Sequence, residues 1–160
     1  MIETNYPMTQ AIRTLKDAGI PFLIHSYQYV EHGGTPVAAR ELGADEHAVI
    51  KTLVFETDAR EPLLVLMHGD KEVSVKALAR ILGVKTVSPA SPDTAARHTG
   101  YQIGGISPFG TRKRLKVQMQ SSILGLPKIY INAGKRGLLA EIAPVGLQKV
   151  LQPTLVDIAI

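Results

Sequence analysis

Apolar residues follow two periods along this chain, one of about 3.6 residues and one of two, and the switches between them mark out the elements. Ala11, Ile12, Leu15 and Ala18 line one face of a helix over Gln10 to Ala18, with Thr9 in capping position, Gly19 as its stop and Pro21 behind it. A strand over Phe22 to Tyr29 follows, then a helix from Thr35-Pro36 through Leu42, with proline at its first position and Gly43 past its end. Asp45 caps a short turn running up to Ile50. Lys51 to Glu56 and Pro62 to His68 read as an antiparallel hairpin joined by a polar turn. Ser74 caps a helix that ends at Gly83, Val84 to Val87 is a short strand, and Ser91-Pro92-Asp93 opens another short helix. Strands fit Leu115 to Met119, Lys128 to Asn132 and Leu138 to Ile142, before a last helix near Val145 to Leu151 and a short strand from Thr154 to Ile158.

Strands outnumber helices, and hairpins mix with helical crossovers. The expected fold is therefore α/β of the mixed kind: a largely antiparallel sheet or half-barrel with flanking helices, not a regular doubly wound sheet. No repeat, low-complexity stretch or linker interrupts it, so residues 1–160 are expected to form a single domain. At 160 residues with 45% apolar and 20% charged content, such a domain can bury a real core. Cysteine is absent, which excludes disulfides, thiolate nucleophiles and cysteine-containing zinc sites. The segment Met1 to Met8 has neither the basic start nor the apolar middle of a signal peptide, and no apolar run approaches the roughly 20 residues of a membrane helix. A cytoplasmic protein without membrane contact is expected.

Charge is distributed unevenly. Residues 1–61 carry net −4 and residues 62–160 net +8. The basic excess is densest at Arg112, Lys113, Arg114 and Lys116, with Lys128, Lys135 and Arg136 in support, a distribution suited to RNA or to a phosphorylated ligand as much as to a solvated basic face.

Lys51 is the most unusual strand residue. A period of two places it on the same side as Val49, Leu53 and Phe55, an apolar face. An ammonium there either snorkels to water or points into a cavity holding an anion or a polarised carbonyl. Gly104-Gly105-Ile106-Ser107-Pro108-Phe109-Gly110 forms a compact loop whose glycines let backbone N–H groups approach a ligand, or is a structural turn. It is not a P-loop, because Thr111 and Arg112 stand where lysine and Ser or Thr are needed. Gly134-Lys135-Arg136-Gly137 is a second glycine turn bearing two cations. Together these make a plausible pocket with an oxyanion-stabilising backbone and a fixed lysine. Tyr27 and Tyr29 share a strand face with His25 and can border it. The histidines His25, His32, His47, His68 and His98 show no HExxH or close pairing, so neither a metal nor any other cofactor is expected. Ser107 sits in Gly-Ile-Ser-Pro-Phe, where Pro108 breaks the GxSxG pattern.

The order of Ile20-Pro21-Phe22, His25 and Tyr27, Val49-Ile50-Lys51-Thr52-Leu53, Thr99-Gly100-Tyr101, the 104–110 loop, Lys113-Arg114, Ile129-Tyr130 and the 134–137 turn resembles the YbaK and prolyl-tRNA-synthetase-associated editing domains along nearly the whole chain. The resemblance implies a free-standing, metal-independent deacylase of mischarged tRNA, with cysteine on proline tRNA the first expected substrate and prolyl-tRNA synthetase a second expected partner. It implies that Lys51 is the family's essential lysine, that Tyr27 lines the pocket, and that Gly105 and Gly134 fall in the motifs framing the substrate. It also implies that the cysteine thiol attacks its own ester carbonyl, so that no protein nucleophile is needed. Gly104, Ile106, Ser107, Pro108, Asn132 and Thr35 are expected around the substrate, and Arg112, Lys113, Arg114, Lys135 and Arg136 on acceptor-stem phosphates. Where YbaK has Ser and Gly before the second glycine turn and an Asp two residues after it, this chain has Asn132, Ala133 and Leu139. The His32 to Pro36 segment differs as well, so these positions bear on amino-acid specificity. A tRNA- or synthetase-binding module without turnover, and a small-ligand binder using Lys51 and the glycine loops, are the alternatives.

Overall fold

The computed structural model describes residues 2–160. Nine strands form one sheet: β1 (Ile2–Glu3), β2 (Leu23–Ser26), β3 (Val49–Thr57), β4 (Pro62–His68), β5 (Val87–Pro89), β6 (Lys116–Gln120), β7 (Ile129–Lys135), β8 (Leu138–Ile142) and β9 (Thr154–Val156). The order is β1-β2-β8-β7-β3-β4-β6-β9, with β5 on the far end of β3. Pairs β3/β7, β4/β6 and β6/β9 are parallel and the others antiparallel. The helices are α1 (Gln10–Asp17), α2 (Gly34–Leu42), α3 (Val75–Leu82), α4 (Pro92–Thr99) and α5 (Val145–Leu151). This is the mixed, mostly antiparallel α/β architecture that the strand-rich pattern calls for.

The two faces of the sheet are covered differently. On one, Ile50, Val54, Leu64, Leu66, Ile129, Ile131 and Ala140 join Ala11, Ile12 and Leu15 of α1 and Leu147 of α5 in the main core. On the other, α2 covers one end, packing Ala38 and Ala39 on Val49, Tyr130 and Leu139. α3 covers the other end, packing Leu78 and Ala79 near Phe55, Val65 and Met67. Between these two small clusters the face is left open, and Lys51 stands in the gap.

Several boundaries depart from expectation for local reasons. The strand expected to Tyr29 stops at Ser26, because its partner β8 begins at Leu138 and only Tyr27 N–H, donating to Gly137 O at 2.9 Å, continues the ladder. α2 begins at Gly34, which puts Pro36 at the third position; proline is tolerated there because first-turn N–H groups lack an intrahelical acceptor. Val84 does not start a strand: its N–H closes the end of α3 on Ala79 O at 3.0 Å, and β5 runs instead over Val87–Pro89. β7 runs past Asn132 through a bulge to Lys135, so Gly134 lies inside the strand and only Arg136-Gly137 make the turn. β9 ends at Val156 because Gln120 Oε1 takes the N–H groups of Ile158 and Ala159 at 2.8 and 3.1 Å.

Candidate active site

A cavity of about 690 Å³ opens over the uncovered stretch of β3. The period-two expectation for Lys51 holds, and the structure combines its two alternatives. Lys51 lines the cavity, and its ammonium donates to Lys71 O at 2.7 Å and Glu72 Oε1 at 3.3 Å. An ammonium has three protons, so one remains for a ligand. The Lys51 side chain is 18% exposed and that of Glu72 80%, so the pair is a tether at the rim with one end in water.

One side of the cavity is built from the two glycine segments. Gly104 has φ +86°, and a Cβ there would meet the Tyr29 hydroxyl at 2.5 Å, so the ring of Tyr29 seats directly on the loop. Arg136 lies over that ring at 5.0 Å and donates from Nε to Ile103 O at 2.9 Å. Asn132 ties both segments: Nδ2 donates to Gly104 O at 3.1 Å, while Oδ1 accepts from Gly134 N–H at 2.7 Å and Lys135 N–H at 3.2 Å. Gly105 is buried against the backbone of Lys135 and Arg136 and donates its own N–H to Gln102 O at 2.8 Å. Both N–H groups for which an oxyanion role is expected are occupied within the protein, and neither Gly105 nor Gly134 lines the cavity.

The opposite side is built from the start of α2, the 3-10 turn Glu46–Ala48 and the end of β4. No side chain caps α2. The Thr35 hydroxyl donates to Glu46 Oε2 at 2.8 Å and lies 3.1 Å from Gly69 O. Gly69 is required at this junction, since a Cβ would meet Glu46 O at 2.6 Å, Val49 O at 2.7 Å and Thr35 Cβ at 2.9 Å. Behind it, the rings of His47 and His68 stack at 3.6 Å. His68 donates from Nδ1 to His47 O at 2.7 Å and accepts the Ser122 hydroxyl at Nε2, also at 2.7 Å. Burial pulls its pKa down.

Of the expected site residues, Lys51, Tyr27, Gly104, Ile106, Thr35, Asn132 and Arg136 line the cavity. Ser107 and Pro108 do not: they are buried, and Ser107 Oγ accepts Phe109 N–H at 3.2 Å to stiffen the loop. Tyr27 is half-buried, and burial first and Tyr29 second raise its pKa, which favours the neutral phenol. Leu139 forms part of the floor at 4% exposure, packed with Ala38 and Val49. Arg112, Lys113, Arg114 and Lys135 are exposed outside the cavity. Arg112 and Lys113 are set by backbone bonds to Thr99 O and His98 O at the end of α4. The sequence reading missed Glu46, Gly69 and Glu72. Glu46 reads locally as a polar turn residue, and only contacts to Thr35 and Gly69 bring it to the site. Among the described residues, no group of three His, Asp or Glu converges as a metal ion would need.

With this geometry in hand, residues 33–150 match the aminoacyl-tRNA editing domain family. The chain is 29% identical over 137 residues to the "Putative Cys-tRNA(Pro)/Cys-tRNA(Cys) deacylase EbsC" of Enterococcus faecalis, covering 85% of this chain and 84% of that protein. It is 34% identical over 99 residues to a proline–tRNA ligase of Ligilactobacillus salivarius, covering 62% of this chain and 17% of the ligase. Among solved structures, a "putative trans-editing enzyme for prolyl tRNA synthetase" superposes with a TM-score of 0.82 at 22% identity, covering 95% of this chain and 98% of that one.

Proposed function

Because the chain belongs to the aminoacyl-tRNA editing domain family, we propose that it is a cytoplasmic deacylase that cleaves the ester of a mischarged tRNA, with cysteine on proline tRNA as first substrate. The observation that carries this reading is Lys51, tethered by Lys71 O with one proton unpaired, on the wall of a cavity large enough for an aminoacyl group and its terminal nucleoside. Its charge stabilises the oxygen on which negative charge develops as the ester opens. Among the described residues the cavity supplies no activated hydroxyl nucleophile from threonine: the Thr35 hydroxyl is committed to Glu46 and Gly69, and the Thr52 hydroxyl is buried without a partner. Attack by the substrate's own thiol meets that limitation. A sulfur–carbon bond forms, the carbon–oxygen ester bond breaks, and the ribose oxygen takes a proton, leaving a thiolactone. Alanine or serine esters require a positioned water instead. Arg136 at the rim, with Lys135, Arg112, Lys113 and Arg114 outside it, would meet acceptor-end phosphates.

The test is release of amino acid from proline tRNA charged separately with cysteine, alanine or serine, with proline as control, by wild type and Lys51→Ala. Release of cysteine alone, lost in the variant, supports thiol assistance. Release of alanine or serine keeps the deacylase and assigns water as nucleophile. A binding module without turnover is the second reading, favoured by the occupied N–H groups of Gly105 and Gly134; tRNA binding without release from any ester would establish it.

A further inference from the structure

We infer that Glu46 is the residue that recognises the α-ammonium of the substrate, so that the site selects esters of free amino acids over N-acylated ones. The inference rests on the proposed deacylase reading and adds a specificity-determining residue to it. Three carboxylates line the cavity, Glu31, Glu46 and Glu72. Glu31 and Glu72 are each 80% exposed and already have a nitrogen partner, His32 Nε2 at 3.7 Å and the Lys51 ammonium at 3.3 Å. Glu46 is half-buried, and among the described residues no lysine, arginine or histidine nitrogen lies within 4.0 Å of it. Its only side-chain partner among them is the Thr35 hydroxyl on Oε2, which leaves Oε1 without a hydrogen bond inside the protein.

A carboxylate in a concave, half-desolvated position gains most from a cation that arrives with the ligand. Every aminoacyl ester brings one. An α-amino group titrates near roughly 7.7–8.0 in model peptides, and a neighbouring carboxylate favours its charged form. The position is built: Gly69 admits Glu46, Val49 and Thr35 into contact distance, and Thr35 fixes one carboxylate oxygen of this cavity-lining residue, which restrains the carboxylate as a whole. Lys51 and Arg136 are tethered elsewhere, at Lys71 O and Ile103 O. The cavity thus carries opposite charges on separate supports, as an aminoacyl ester with a cationic amine and a developing oxyanion demands. N-acylation removes the cation and sets a neutral amide against the carboxylate, so peptidyl and N-acetyl esters are disfavoured. Thr35 acts as a positioning residue for Glu46.

The experiment measures binding by calorimetry of two non-hydrolysable amides, 3′-deoxy-3′-(L-alanylamino)adenosine and its N-acetyl derivative. Wild type is expected to bind the free amine at least about tenfold more tightly, the size of one charge-assisted hydrogen bond. Glu46→Gln should abolish that ratio by weakening only the free-amine compound, and Thr35→Val should lower it part of the way while Thr35→Ser retains it. Thr35→Ser and Thr35→Val keep the test decisive where Glu46→Gln fails to fold. Equal binding of the two compounds by wild type, a ratio that survives in Glu46→Gln, or binding of neither compound overturns the inference. Absence of ester cleavage by a protein that shows the ratio and loses it in Glu46→Gln overturns the deacylase reading and leaves the ammonium site standing.

Discussion

Along the glycine-rich side of the cavity, Gly105 N–H, Gly134 N–H, Asn132 Oδ1 and Arg136 Nε all find partners within the protein. Across from it, Glu46 keeps one oxygen unpaired, α2 starts without a side-chain cap, and Lys51 keeps one proton free. The two sides enclose the same space and use their polar groups in opposite ways. The first is a scaffold whose backbone and side-chain polar groups satisfy one another, so its shape persists whether or not a ligand is present. The second holds groups whose satisfaction comes from whatever enters. Motif density and unpaired polar groups are therefore separated here: the segment richest in glycine gives the cavity its rigid outline, and the groups left open to a ligand stand on a strand and a turn beside it.

The largest expected effect breaks the second side alone. Lys51→Ala should lower amino-acid release by on the order of 10²- to 10³-fold, the range for removing one charge-stabilising donor. Its unfolding midpoint should stay close to wild type, because the tether to Glu72 is mostly exposed. Rates and urea curves on one preparation check both halves, and a large fall in stability would make Lys51 part of the scaffold.

Gly134→Ala should show the reverse. Gly134 holds φ +96°, and a Cβ would meet Tyr101 Cε1 at 2.9 Å. That ring is fixed by its hydroxyl, which donates to Phe109 O at 2.6 Å. A side chain in this backbone region costs about 1–3 kcal/mol before the clash is counted. The urea midpoint should fall accordingly, while the remaining folded protein keeps its binding of the free-amine adenosine amide. Loss of binding at unchanged stability would place Gly134 among the ligand-contacting groups and erase the contrast.

How far the sequence shows this division follows from the range of each contact. Lys51 was legible because strand parity is local: Val49, Leu53 and Phe55 set the face, and the lysine violates it. The strands around it and the caps at Thr9, Ser74 and Ser91 were legible for the same reason. The glycine loops were legible as loops, but whether their N–H groups face a ligand or each other depends on Asn132 meeting Gly104, a contact across the fold. Glu46 was invisible because Asp45-Glu46 reads as a capped turn; its partner Thr35 is eleven residues away, and Gly69 lies further along the chain, in the turn just past the end of β4. Pro36 also misled: proline marks a helix start, but two glycines before it already turn the chain into α2.

A smaller effect is expected outside the cavity. Reversing Arg112 and Lys113 to glutamate should weaken tRNA binding and reduce its dependence on salt by about 0.7–0.9 in logarithmic slope for each phosphate no longer neutralised. Binding of the adenosine amide should not change, since neither residue lines the cavity. Titration at several salt concentrations separates the two terms, and an unchanged slope would remove this loop from the nucleic-acid surface.

The mildest perturbation is acid, and it discriminates between the two sides directly. His68 is buried behind the Glu46 turn, with its pKa lowered from 6.5, first by desolvation. A histidine with a depressed folded pKa favours the neutral form in the native state. Its contribution to stability is complete above the unfolded value near 6.5 and declines as pH falls from there through the folded pKa. Protonation also turns Nε2 from acceptor to donor, which forces the Ser122 hydroxyl to reverse its role, and adds charge beneath the His47 ring stacked on it. The side that holds Glu46 should therefore loosen first. Amide exchange compared at pH 7.5 and pH 5.5 should show faster opening at 46–49 and 68–71 than at 104–109 and 132–137, and His68→Gln should remove the difference. Equal acceleration on both sides would mean that acid acts on the fold as a whole, and that the two sides differ in their unpaired groups without differing in their resistance to opening.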